Sequence, residues 1–95
     1  MDKTMDKAII TVVGKDTVGI IAKVCTYLAE KGVNVLDITQ TILSGYFNIM
    51  MMIVDLAAST KSFAEVSNEL DTLGESIGVT IKIQRAEIFE KMHRI

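Results

Sequence analysis

The period of the apolar positions changes along the chain, and each change marks the boundary of a predicted element. From Ala8 to Gly14, β-branched and small residues alternate loosely, which predicts a first strand. From Val18 the apolar positions recur every three or four residues, which predicts a helix that ends at Gly32. Asp16 or Thr17 is expected to cap its start, because a short side-chain oxygen accepts from the free amides of the first turn.

The middle of the chain predicts a β-hairpin. Val33–Leu43 returns to period two, with Leu36, Ile38 and Ile42 on one face and Asp37, Thr39 and Thr41 on the other. Ser44-Gly45 suits a tight turn, and Tyr46–Leu56 is the returning strand. This last strand is apolar on both faces, whereas a strand in a two-layer domain needs only one apolar face. Its second face is therefore expected to meet something else.

The remaining residues predict a second helix, a last strand and a tail. Ser59 or Thr60 would cap a helix that ends at Gly78, and the alternation that follows Gly78 predicts a strand. The order is that of an α+β, ferredoxin-like βαββαβ domain, with a four-stranded antiparallel sheet and two helices on one face. We expect a ragged N-terminus over 1–7, the domain over 8–85 and a short helical tail over 86–95, with Ile88, Met92 and Ile95 on one stripe.

Composition narrows the class of protein. The 95 residues are 49% hydrophobic and 23% charged, which is typical of one small globular domain. With a net charge of −2, the chain has no excess of positive charge to attract nucleic acid or an anionic membrane surface. No segment approaches the roughly 20 apolar residues of a membrane helix, and the first seven residues are too polar for a signal peptide. With Cys25 as the single cysteine, these features predict a cytoplasmic protein.

The chain carries few groups for catalysis or metal binding. Its single histidine, His93, is two residues from the C-terminus, and Cys25 falls on the apolar side of the first helix, where it is expected to behave as a small hydrophobe. Met50, Met51 and Met52 alternate between strand faces and cannot converge on one ion. We predict no catalytic residues, no metal and no cofactor.

The loop before the first helix is the one segment with a candidate binding pattern. Gly14 and Gly19 have the separation of the glycines in a phosphate-binding loop, but Ile20-Ile21 stand where that loop has lysine and serine or threonine. What remains is a glycine-bearing loop that runs into a helix N-terminus, whose free amides suit a carboxylate. Alternatively, Gly19 serves only to let the start of the helix pack closely on the sheet.

Two linked segments of the sequence resemble the signature of ACT domains. They are Gly14-Lys15-Asp16-Thr17-Val18-Gly19-Ile20-Ile21 and Leu28-Ala29-Glu30-Lys31-Gly32-Val33-Asn34-Val35. The resemblance covers essentially the whole chain and extends to the ACT modules of the glycine cleavage system regulator and of formyltetrahydrofolate deformylase. It is greatest for the small stand-alone ACT proteins.

The resemblance implies a ligand site at the interface of two modules, where ligand-binding ACT domains hold an amino acid. Asp16 would face the ligand amine, Thr17 and Val18 would belong to the same loop, and Gly19 and Ile20 would offer backbone groups. Asn34 would complete the polar set, from the partner or from the same module. Many members have proline where this chain has Val18, so the loop lacks that fixed φ. Other roles stay open, because Asp16 is also a helix cap and Asn34 a turn residue.

The resemblance also implies a function. The first hypothesis is a non-enzymatic homodimer that senses an L-amino acid and modulates amino-acid or one-carbon metabolism through a regulated enzyme or regulator protein. The alternative is a ligand-free dimerisation or protein-interaction module. In either case a partner would cover the second apolar sheet face or extend an edge strand, and the tail stripe would dock across that interface.

Overall fold

The computed structural model describes residues 6–15, 18–43 and 47–85, and its elements follow the predicted ferredoxin-like order. The C-terminal tail, the Ser44-Gly45 turn and the Asp16-Thr17 cap lie outside the described residues. The elements are β1 (Lys7–Gly14), α1 (Val18–Glu30), β2 (Asn34–Leu43), β3 (Phe47–Asp55), α2 (Phe63–Ile77) and β4 (Thr80–Arg85).

The four strands form one antiparallel sheet in the order β2-β3-β1-β4. β1 and β3 are central, with Ile10 opposite both Met52 on β3 and Ile83 on β4. The two edges are therefore β2 and β4. The pairing of β2 with β3 shifts by one residue between Val35 and Asp37, which is a β-bulge at Leu36.

The core lies between the sheet and the two helices. The helix-facing residues of the strands are buried together with one apolar stripe from each helix, as the period of the sequence requires. The fully buried large side chains are Ile10, Val12, Val24, Leu28, Met50, Met52, Val54, Val66, Leu70 and Ile81. Cys25 is half-buried against this cluster, as its place on the apolar side of α1 predicts.

The start of α2 differs from the prediction. The cap is Ser62, whose hydroxyl accepts from the Glu65 amide at 3.2 Å while the Glu65 carboxylate accepts from the Ser62 amide at 2.9 Å. Ser59 and Thr60 were wrong candidates, because Ser59 instead bonds to the backbone of Lys61. Ser62-x-x-Glu65 is a capping box, and two reciprocal bonds outweigh one hydroxyl placed earlier in the chain.

The far ends of the helices agree with the sequence. Gly78 has φ 79° and its amide donates to the Gly74 carbonyl, which closes α2. Gly32 has φ 77° after α1, and a β-carbon there would lie 2.7 Å from the Ala58 carbonyl oxygen. Both positions require glycine for the left-handed backbone.

The sheet surface that faces away from the helices is apolar at its centre. This surface, called the outer face below, carries Ile9, Val13, Phe47, Ile49, Met51 and Ile53. The exposed fraction is 46% for Phe47, 43% for Met51 and 36% for Ile53. The prediction that β3 is apolar on both faces is confirmed, and within the described residues nothing covers the second one.

Candidate functional site

A cavity of about 690 Å³ lies where β1 passes into α1 and where α2 passes into β4. Its wall includes Gly14 and Lys15 from the end of β1 and Gly19, Ile20 and Lys23 from α1. The turn Ile77–Thr80 closes a second side, and Val13 and Phe47 connect the cavity to the outer face. The glycine-bearing loop of the sequence analysis therefore borders a concave surface.

The two glycines in this wall have different surroundings. A β-carbon on Gly14 would overlap the Val79 side chain, so Gly14 is needed for packing. A β-carbon on Gly19 would meet no atom within 4 Å among the described residues outside its own helix turn and chain neighbours. The alternative in which Gly19 lets the helix pack closely on the sheet is therefore not supported. Gly19 instead leaves its backbone accessible beside the cavity.

The charged side chains that line the cavity are cationic in the described part of the chain. Lys15 and Lys23 are both exposed, and the salt bridges between described residues involve Lys61, Lys82 and Arg85 instead. The positive end of the α1 dipole lies on the same side. The first turn of α1 contains no acidic residue. The arrangement suits a carboxylate.

Asn48 is a polar residue of this region that the sequence analysis missed. Its side-chain amide donates to the Lys15 carbonyl at 3.0 Å, which ties β3 to the start of the loop. Its Oδ1 is buried and has no hydrogen-bond partner within the part of the chain that the structure describes. A signal was present in the sequence, because Asn48 is the one polar residue in the run Phe47–Val54.

The structure describes only some of the predicted ligand residues. Gly19 and Ile20 lie in the cavity wall, and Val18 is the first residue of α1. Asp16 and Thr17 lie outside the described residues. Their ligand roles stay predictions.

Asn34 lies at the opposite end of the sheet from the cavity. It starts β2 opposite Asp55, which is also opposite Lys7 at the start of β1. The cavity is at the other end of β1, about 23 Å away at roughly 3.3 Å per residue. Asn34 of the same protomer therefore does not join the loop, and a role in this site requires Asn34 of a second copy.

A second polar cluster links the helices. The Tyr27 hydroxyl donates to Glu69 at 2.6 Å, Lys61 pairs with Glu69 at 3.1 Å, and the Lys31 ammonium lies 5.7 Å from the Tyr27 ring centre. Burial raises the pKa of the Tyr27 phenol, and Glu69 raises it further. The hydrogen bond from Tyr27, followed by that from Lys61, lowers the pKa of Glu69. The raised pKa keeps the Tyr27 hydroxyl protonated as a donor, and the lowered pKa keeps Glu69 ionised as an acceptor. Because both shifts preserve the hydrogen bond, we assign the cluster a structural role.

The described residues offer neither a metal centre nor a membrane span. Within 6–15, 18–43 and 47–85, no three histidine, cysteine or acidic side chains come together as metal ligands. In the same ranges, neither helix is long and apolar enough to cross a membrane.

Comparisons with known proteins identify the relatives of the chain. A family model described as "ACT domain" matches residues 6–84. A UPF0237 protein of Bifidobacterium longum is 66% identical over 91 residues, which are 96% of this chain and 100% of the relative.

Solved structures agree with the family match. An ACT domain protein from Streptococcus pneumoniae has a TM-score of 0.79 and 44% identity, over 90% of this chain and 96% of that one. A formyltetrahydrofolate deformylase from Pseudomonas syringae has a TM-score of 0.77 over 88% of this chain and 28% of its own. At 15% identity the deformylase shares the fold alone. The resemblance stated from the sequence is confirmed.

Proposed function

The chain belongs to the ACT-domain family, and on that premise we propose that it is a non-enzymatic regulatory module that binds a small amino acid. The ligand occupies the cavity beside Gly19, next to a homodimer interface. Binding modulates amino-acid or one-carbon metabolism through a regulated enzyme or regulator protein.

The observation that carries the proposal is the open space beside Gly19. Glycine within a helix costs up to about 1 kcal/mol relative to alanine, and no close packing against the described residues accounts for glycine at position 19. A ligand that approaches the backbone of Gly19 does account for it, since a methyl group would occupy the space of the ligand.

The charges of the site support a zwitterionic ligand. Lys15, Lys23 and the free amides of α1 suit its carboxylate. Asp16, directly after Lys15, suits its ammonium group. Thr17 and Ile20 complete the loop on either side of Gly19. Asn34 contributes only if the dimer brings the start of one β2 to the cavity of the other copy.

A second candidate is a ligand-free interaction module, and the exposed outer face favours it. Exposed apolar patches of several hundred Å² mark protein–protein contacts in many soluble proteins. In this case the dimer surface is the whole function, and the cavity stays unused.

The test is thermal unfolding of the full chain with each of the twenty L-amino acids, with D-isomers as controls. At a ligand concentration a hundred times the dissociation constant, binding adds about 2.7 kcal/mol to the free energy of unfolding. We expect one L-amino acid to raise the melting temperature and Asp16→Asn to abolish this shift. Asp71→Asn is the matched control, because Asp71 is an exposed carboxylate on α2.

Two results would contradict the proposal. A screen in which no amino acid raises the melting temperature of a confirmed dimer would support the ligand-free module. A shift that persists in Asp16→Asn would place the ligand elsewhere. The same screen on Asn34→Ala shows whether Asn34 takes part.

A further inference from the structure

We propose that the ligand of the cavity is an acidic amino acid, and that Lys23 selects it by pairing with the side-chain carboxylate. This inference rests on the amino-acid site of the proposed function and names the class of its ligand. The α-carboxylate lies over Gly19, beside Lys15 and the first amides of α1. The second carboxylate extends to the Lys23 ammonium.

The charges of the cavity wall give the first reason. Lys15 and Lys23 line the cavity, and no acidic side chain joins them among the residues that the structure describes. Both lysines are exposed, and neither forms a salt bridge with a described carboxylate. A concave surface with charges of one sign concentrates ligands of the opposite sign. With Asp16 assigned to the ammonium group, each of the three charges of an acidic amino acid has an opposite charge in the site.

The position of Lys23 gives the second reason. Lys23 follows Gly19 by one turn on the same face of α1, about 6 Å further along the helix axis, and both residues line the cavity. A β-carbon on Gly19 would meet no side chain within 4 Å among the described residues beyond its chain neighbours, so Lys23 is not folded over this position. A ligand held at the backbone of Gly19 therefore has open space for a side chain that extends along α1 to Lys23.

The two lysines differ in what they can recognise. The Asn48 side-chain amide donates to the Lys15 carbonyl at 3.0 Å, which ties Lys15 to β3 at the start of the glycine-bearing loop. Lys15 therefore belongs to the loop that receives the α-carboxylate, a group that every amino acid has. Lys23 lies on the helix beyond this loop, where the side chains of different amino acids differ. Lys23 is thus the residue that determines specificity.

The apolar residues of the wall offer a weaker basis for selection. Ile20 is only 7% exposed, and Ile77 and Val79 pack against the hydrophobic core. Because the hydrophobic contribution to binding scales with the apolar area that leaves water, these residues have little left to give an aliphatic ligand. Lys15 and Lys23, in contrast, are open to the cavity.

The experiment compares each acidic amino acid with its own amide. L-Glutamate and L-glutamine, like L-aspartate and L-asparagine, have nearly the same shape and differ in charge. Their dissociation constants are measured by calorimetry on the full chain at constant pH and ionic strength, with the acids as sodium salts and sodium chloride as the blank. We expect one acidic amino acid to bind roughly tenfold more tightly than its amide, as is typical of a charge-assisted hydrogen bond.

Two variants of equal charge test the role of Lys23. Lys23→Gln should weaken binding of the acidic amino acid roughly tenfold, to the level of its amide, and leave the melting temperature of the ligand-free chain unchanged. Lys82→Gln is the matched control, because Lys82 is an exposed lysine outside the cavity wall, and it should leave both affinities unchanged. Acid and amide on the wild type and on Lys23→Gln form a thermodynamic cycle that isolates the pairing of the two charges.

Four results would overturn the proposal. The first is equal affinity of the wild type for an acid and its amide, and the second is a preference for the acid that survives Lys23→Gln. The third is an equal loss in Lys82→Gln, which would show that net charge and not Lys23 attracts the ligand. The fourth is a neutral amino acid that binds while both acidic ones do not, which would leave the site of the proposed function in place. If no amino acid binds, the proposed function fails together with this inference.

Discussion

Alanine at Gly14 and at Gly19 should have opposite effects on stability, although both residues line the same cavity. On Gly19 the added methyl group enters open space, and the helix gains up to about 1 kcal/mol from the lower entropy of the unfolded chain. On Gly14 the methyl group overlaps the Val79 side chain, and overpacking of this kind costs about 1–3 kcal/mol.

The two effects together give an expected difference of about 1–4 kcal/mol, which is large for a chain of this size. One kcal/mol shifts the melting temperature of a 60–100-residue domain by about 4–8 °C. Gly19→Ala should therefore melt up to about 8 °C higher than the wild type, and Gly14→Ala at least about 4 °C lower. Circular dichroism against temperature and urea, on both variants without ligand, measures the two effects.

A binding measurement on Gly19→Ala connects the stability comparison to function. Gly19→Ala should lose the melting-temperature shift given by the amino acid that the screen identifies, while its own melting temperature rises. A variant that is more stable and unresponsive cannot be explained by damage to the fold. If Gly19→Ala is destabilised as much as Gly14→Ala, Gly19 is a packing residue and the main support for the ligand site is lost.

Three further predictions concern the rest of the domain. Ser62→Ala removes the capping box of α2 and should lower stability by about 1 kcal/mol in urea, while Ser76→Ala, at an exposed site, should change it by less than about 0.5. Leu70→Ala empties a fully buried site and should cost about 2–5 kcal/mol in the same assay; a smaller cost would indicate a loosely packed core. Tyr27→Phe should raise the pKa of Glu69 in an NMR titration. Folding lowers the pKa of Glu69, so the stability that this carboxylate contributes is fully present above about pH 4.3 and is lost as the pH falls through the folded pKa. The variant should therefore lose less of its stability in acid than the wild type does. An unchanged Glu69 titration would show that the Tyr27 bond does not form in solution.

Most of the fold was predictable because the period of the sequence reports directly on burial. The alternation along β3 separates Met50, Met52 and Val54 from Phe47, Met51 and Ile53 onto opposite faces, and the structure buries the first set and exposes the second. Gly32 and Gly78 marked helix ends because few other residues tolerate a left-handed backbone. The start of α2 was misplaced because Ser59, Thr60 and Ser62 are equivalent as single hydroxyl groups. Only the spacing of Ser62 to Glu65 distinguishes them.

The candidate site was less predictable, because it depends on distances between strand ends. Spacing located the glycine-bearing loop, but only coordinates separate Gly14, which packs on Val79, from Gly19, beside which the described residues leave open space. The position of Asn34 follows from strand direction, since β2 starts at the end of the sheet where β1 starts. Asn48 was missed because one polar residue in an apolar strand does not by itself reveal which loop it holds.

The strand order has a consequence for how the chain folds as it is synthesised. β1 is a central strand, and its two neighbours come from distant parts of the chain, since Lys7 pairs with Asp55 and Ala8 with Arg85. Contacts of such high sequence separation form late and slowly. A nascent chain that has exposed only β1 and α1 therefore has no partner for its first strand. The sheet closes only when β4, at the far end of the domain, has left the ribosome, so the domain completes its fold in one late step.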